Sequence, residues 1–156
     1  MTDDEKLSIE EFHKKIAVET NNAIWPILDK EDPSEGELED ALDMAHTSRY
    51  HWKIIGKPIN LARADYMISR VASAMGRAES ALHHAKRCLE ITKDTGVGDW
   101  DLAFAYEAMT RAYAVAKDRE KFTEYMEHTR EAISEIESKE DKEIVQGELD
   151  KISFPS

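Results

Sequence analysis

The sequence predicts an all-α protein built as a stack of helix hairpins, and three observations carry that expectation. Small residues recur at helical spacing. Ala41, Ala45 and Ser48 stand at 0, +4 and +7; Ala81, Ala85 and Cys88 repeat the spacing 40 residues on; Phe122, Met126 and Thr129 repeat it in bulkier form after another 41. No stretch alternates apolar and polar residues as a strand would. Helix stops and starts follow at short intervals, with glycine, proline and capping residues between the periodic segments. Small residues so spaced let two helices approach closely, and repetition at a fixed period marks a stacked helical array.

Seven helices follow in order. The first is expected from Asp3 to Leu28, where Leu7, Phe12, Ile16, Ala23 and Ile27 keep the helical period and Pro26 bends or ends it. Ser34 with Glu37 is a capping-box pattern that opens the second helix, which stops before Gly56-Lys57-Pro58. Pro58 fits the first turn of a third helix ending near Met75-Gly76. The fourth runs from Arg77 to Asp94 and ends at Thr95-Gly96, a glycine stop. Asp99 is placed to cap the fifth, which reaches Ala116, and Asp118 the sixth, which reaches Glu137. Ser138 with Asp141 opens a last amphipathic helix through Ile144, Val145, Leu149 and Ile152. Short turns pair neighbouring helices as antiparallel hairpins. The expected organisation is a single domain over 1–156, with hairpins at 3–55, 58–94 and 99–137 and a capping helix at 138–152.

Composition bounds the function. The formal charge is −12, which argues against nucleic-acid binding. Residues 1–40 carry 13 acids and 4 bases, residues 41–99 carry 6 and 9, and residues 100–156 carry 14 and 8, so a basic centre lies between acidic flanks. No apolar run is long enough to span a membrane and no signal peptide is evident. The single cysteine, Cys88, excludes an intramolecular disulfide, and the cytoplasm is the expected compartment.

The segment Ala62–Thr92 resembles a tetratricopeptide repeat (TPR). Ile68 and Ser69 stand where that motif has a large apolar residue followed by a small one, Gly76 fills the turn, and Ala81, Ala85, Cys88 and Leu89 fill the second helix. Met109, Thr110 and Tyr113 fit in the third hairpin, where Phe122 replaces the family's alanine, and the first hairpin matches through its second helix. The repeat, near 40 residues, is a lengthened variant. The resemblance implies a short right-handed solenoid, a concave face lined by the first helix of each hairpin, and binding of peptides or other proteins as its work.

Helical geometry turns about 100° per residue, so faces can be sorted. Opposite the apolar stripe of the third helix lie Arg63, Tyr66, Arg70 and Ser73; opposite that of the fifth lie Phe104, Glu107, Arg111 and Ala114. A step of 41 maps Arg63, Tyr66 and Arg70 onto Phe104, Glu107 and Arg111, and the step back reaches Asn22, Trp25 and Asp29. Arginine forks hold carboxylate or phosphate at two points, and aromatic faces hold apolar side chains. Asn22, Trp25, Arg63, Tyr66, Arg70, Phe104, Glu107 and Arg111 are therefore the candidate ligand-binding residues. Asn22, Arg63 and Arg70 resemble in chemistry the clamp with which some TPR domains grip a terminal carboxylate.

His46 and Arg49 define an alternative. Arg49 falls within the apolar stripe of its helix, about 40° from Ala45, and an unpaired buried charge is costly, so it is expected to be paired with a carboxylate or with backbone carbonyls. Asp43 and His46 have the spacing of carboxylate-bridged metal sites, but no second such pair exists, and neither a metal nor a cofactor is expected. Phosphate-cradling glycine loops, nucleophile elbows and Cys-x-x-Cys are absent, and Cys88 sits on a packing seam. The expected function is an interaction module that binds a protein segment or anionic ligand in a concave groove without chemistry of its own. An enzyme or small-ligand sensor, with His46, Arg49, Arg63, Arg70, Glu107 and Arg111 in one polar pocket, is the alternative, and a homodimer is a third reading.

Overall fold

The computed structural model describes residues 6–156. Among these the chain forms seven helices and no strand: α1 (Ile9–Leu28), α2 (Glu35–Ile55), α3 (Pro58–Ala74), α4 (Ala78–Thr95), α5 (Asp99–Val115), α6 (Arg119–Ser134) and α7 (Lys139–Asp150). The fold is all-α, as the sequence predicts.

The ends of the helices follow local chemistry. Ser34 and Glu37 form the expected capping box, each closing on the other's backbone N–H. Asp118 and Ser138 cap α6 and α7 through the backbone N–H groups of Lys121 and Asp141. Gly76 (φ +74°) and Gly96 (φ +70°) leave α3 and α4 through left-handed backbone, where a Cβ would be strained. Three boundaries differ from expectation: the starts of α1 and α5, and the end of α6, which stops at Ser134 and not at Glu137. The start at Asp3 lies outside the described residues, and α1 begins at Ile9 because Ser8 and Glu11 form a second capping box there. Pro26 falls inside the last turn of α1, which ends at Leu28 as expected. Asp99 does not cap α5: it is the first residue of that helix, at φ +49°, and its Oδ1 accepts from the Glu137 N–H.

Consecutive helices pack on one another, and the odd-numbered helices also touch in order: α1 on α3, α3 on α5, α5 on α7. The small-residue echo is the packing seam. Ala41, Ala45, Ala81 and Ala85 are fully buried, Ser48 donates to the Ala17 carbonyl of α1 (2.7 Å), and Thr129 meets the Thr110 hydroxyl of α5 (3.1 Å). One apolar core joins Ile24, Ile68, Val71, Ala85, Cys88, Met109 and Tyr113; a second joins Ala103, Ile133, Ile136, Val145 and Leu149 where α7 covers α5 and α6. Helix α3 lies inside this arrangement and is buried from Ala64 to Ser73. No helix of the described residues is long and apolar enough to cross a membrane.

Because Ala85 sits at a full-burial crossing, Ala85→Leu is expected to overpack the α3–α4 hairpin at a cost of about 1–3 kcal/mol. A chemical-denaturation midpoint equal to that of the wild type would show that the helices have room to spare there.

Candidate functional site

The site is organised by a carboxylate with no exposure, Glu107 on α5. The Tyr66 hydroxyl donates to its Oε2 (2.7 Å), and Arg111, one turn on, donates to Oε1 from Nε and Nη2 (3.0 and 2.6 Å). Arg70 Nη1 donates to the Tyr66 hydroxyl (3.0 Å) and to Glu148 Oε2 of α7 (2.9 Å), and lies 3.9 Å from Glu107 Oε1. Arg111 Nη2 also reaches the Glu148 carbonyl (3.1 Å), and the Arg70 guanidinium stacks over Trp25 of α1 at 5.3 Å. Trp25, Tyr66, Glu107 and Glu148 are spaced by 41 residues each, so the network runs through one register position of α1, α3, α5 and α7.

Burial works against ionisation of both the acid and the base here. It opposes the charge of Arg70, but Tyr66, Glu107 and Glu148 together hold this guanidinium above the ordinary arginine value. Burial likewise opposes ionisation of Glu148, and Arg70 and Lys151 outweigh it, so that carboxyl titrates below its usual range. Burial, then the neighbouring Glu107, pushes the Tyr66 phenol well up, so it remains a neutral donor.

Two cavities flank this network. One, about 190 Å³, is an aromatic pocket lined by Trp25, Tyr66, Trp100 and Phe104, with Asn21, Cys88 and Thr92 behind. Arg63 stands at its edge, forked onto Asp101 (3.0 and 2.9 Å) and stacked over Trp100 at 4.7 Å, while Tyr66 meets Phe104 edge-on. The other, about 290 Å³, lies on the far side of Arg70 and is lined by Arg70, Ser73, Arg111, Lys151 and apolar residues of α1, α5 and the C-terminal segment.

The structure brings Trp25, Arg63, Tyr66, Arg70, Phe104, Glu107 and Arg111 to one face. It differs from the expected open groove in filling that face: Tyr66, Arg70 and Glu107 are buried, because α7 adds Glu148 above them. Asn22 is exposed, and its neighbour Asn21, one turn before Trp25, lines the aromatic pocket in its place. His46 and Arg49 do not join the same pocket. Arg49 Nε donates to Asp65 Oδ1 (3.0 Å), which also receives His84 Nδ1 (2.9 Å), and the His46 ring meets the His84 ring edge-on. Asp65 is fully buried among α2, α3 and α4, so two separate polar clusters replace the single pocket. Asp65 was legible as an acid standing in the apolar stripe of α3, complementary to the basic Arg49 in that of α2. Glu148 was legible as one further step of 41 beyond Glu107. Cys88 is buried, which pushes its thiol up to about 12 and leaves it inert at neutral pH. Among the described residues no group of three or more His, Cys, Asp and Glu side chains is placed to hold a metal ion.

No protein-family model matches this chain, and no curated protein or solved structure matches it either.

Removing one partner of a buried pair typically costs about 3–5 kcal/mol. Arg49→Ala is expected to fall in that range, and Arg49→Met to lose less because its chain refills the packing. Equal and negligible shifts in denaturation midpoint would show that Asp65 does not depend on Arg49. A second expectation concerns pH. The folded-state pKa of Glu148 lies below the ordinary 4.5, so its charge contributes stability that is full above that value and lost as pH falls through the folded pKa. Glu148→Gln should therefore be less stable than wild type at neutral pH, with the gap closing on acidification. A gap that stays constant down to the acid limb would refute the charge argument.

Proposed function

We propose that this chain is a helical-repeat interaction module, a short right-handed TPR-like solenoid capped by α7, that holds a segment of another protein on its α1–α3–α5 face in the cytoplasm. The observation that carries the reading is the aromatic pocket. Trp25, Trp100 and Phe104 are only half-buried and converge with Tyr66 on a space of about 190 Å³. That volume suits one apolar side chain. Aromatic anchors at partly open positions are the usual source of affinity in protein recognition. Arg63, half-exposed at the rim and forked onto the buried Asp101, offers its remaining N–H to a peptide carbonyl or a polar neighbour of the anchor. Two further points support the repeat reading: the odd-numbered helices meet in sequence, and the Trp25, Tyr66, Glu107, Glu148 column advances by 41 residues per step. No observation favours the enzyme alternative, whose residues divide among the Asp65 cluster, the Glu107 network and the Arg63–Asp101 pair instead of meeting in one pocket.

Selection of random linear peptides on the folded protein tests this. The expected outcome is a family of peptides with one shared apolar anchor, each weakened at least about tenfold by Trp100→Ala or Phe104→Ala, the loss of a hot-spot contact. Peptides indifferent to both substitutions would remove the pocket from the reading.

A further inference from the structure

The second cavity carries a separate inference. Three cations, Arg70, Arg111 and Lys151, line it, whereas Glu107 and Glu148, the carboxylates they bond, do not. Three positive charges against two negative ones leave one over. Both hydrogen bonds of Arg70 leave from Nη1, so the rest of its fork is available to a ligand. Ser73 lines the same wall, and its hydroxyl, buried and without a hydrogen-bond partner, reaches the cavity by a turn about Cα–Cβ. A helical serine ordinarily satisfies itself on the carbonyl four residues back, and an orphaned buried hydroxyl is costly. Leu28, Val115 and Ile152 make the remaining wall apolar. The volume, about 290 Å³, sits at the bottom of the range for drug-sized ligands.

We infer that this cavity binds a small aliphatic monocarboxylate, its carboxylate on Arg70, Arg111, Lys151 and the Ser73 hydroxyl and its chain against Leu28, Val115 and Ile152. The single surplus charge selects a monoanion over a phosphate dianion, and the apolar wall selects a hydrocarbon tail over a bare ion. Phe154, whose ring meets that of Phe122 at a tilt (5.1 Å) and lies under the Arg119 guanidinium (4.1 Å), fixes the C-terminal segment whose Lys151 and Ile152 complete the wall.

Calorimetric titration of the whole chain with sodium hexanoate, hexanamide and inorganic phosphate tests the inference. Saturable one-to-one binding of hexanoate is expected, with no heat from hexanamide or phosphate. Ser73→Ala removes only a hydroxyl and should weaken hexanoate about tenfold, the worth of one hydrogen bond to a charged group. Lys151→Gln should weaken it less, and less again at high salt. Ala74→Trp, at an exposed position on the rim, should abolish binding while leaving the far-ultraviolet dichroism unchanged. No hexanoate binding, equal binding of hexanamide, preference for phosphate, or indifference to both Ser73→Ala and Ala74→Trp would each overturn it. The inference does not rest on the peptide-binding reading: Trp100→Ala, which disables the aromatic pocket, should leave hexanoate affinity intact.

Discussion

The arrangement of α3, α5 and α7 depends on one buried carboxylate. Glu107 has no contact with water, and an uncompensated charge there would be prohibitive. Tyr66 from α3 and Arg111 from its own helix satisfy it directly, and Arg70 ties the group to Glu148 on α7. Hydrogen bonds of this length tolerate little displacement, and a helix slipping by one residue moves by about 1.5 Å and turns its side chains away. The network therefore fixes register and rotation between helices whose apolar surfaces alone would allow several packings. Its net contribution to stability is modest, since desolvation consumes most of the Coulombic gain; its contribution to a unique structure is large.

The two faces of α3 use buried charge in different ways. Toward α2 and α4, Asp65 Oδ1 draws in Arg49 and His84, while its buried Oδ2 has no hydrogen bond and Arg87 lies 3.9 Å from it. Toward α1, α5 and α7, the Glu107 network is flanked by space on both sides, one cavity lined by Trp25, Phe104 and Trp100 and the other by the C-terminal segment. Both cavities that flank the network thus lie on the side of α3 turned away from Asp65.

Much of this was legible from residue types. Ser34 with Glu37, Pro58, Gly96, Asp118 and Ser138 mark helix ends because each satisfies a local backbone requirement that does not depend on tertiary structure. Ala41, Ala45, Ala81 and Ala85 mark a seam because only small side chains allow the approach. Arg49 announced a buried partner by its position but not which one, since the partner is set by how α3 rotates against α2. The face of Arg63, Tyr66 and Arg70 was found, yet its burial was not. Periodicity says which residues share a face and is silent on what lies over it. Reading α7 as a cap through Ile144 and Val145 hid its second role: Val145 is fully buried, Ile144 is exposed, and the helix turns Glu148 back onto Arg70.

The basic centre of the sequence is divided by the fold: Arg49 and Arg70 are enclosed, whereas Lys53, Lys57, Arg77, Lys86 and Lys93 are exposed. Arg49, Arg70 and Arg111 have their charges cancelled at short range by Asp65, Glu107 and Glu148, so none of them contributes much to the field that solvent sees. What remains outside is acidic at either end of the chain and basic between, and the formal charge sums to −12. Such a surface repels its own copies and other acidic macromolecules and accelerates the approach of basic ones, an effect that fades as salt rises. Encounter and grip are thereby assigned to different parts of the molecule: long-range attraction is set by exposed carboxylates that need no fixed geometry, and discrimination by a few enclosed side chains that the approaching species does not sense until it arrives.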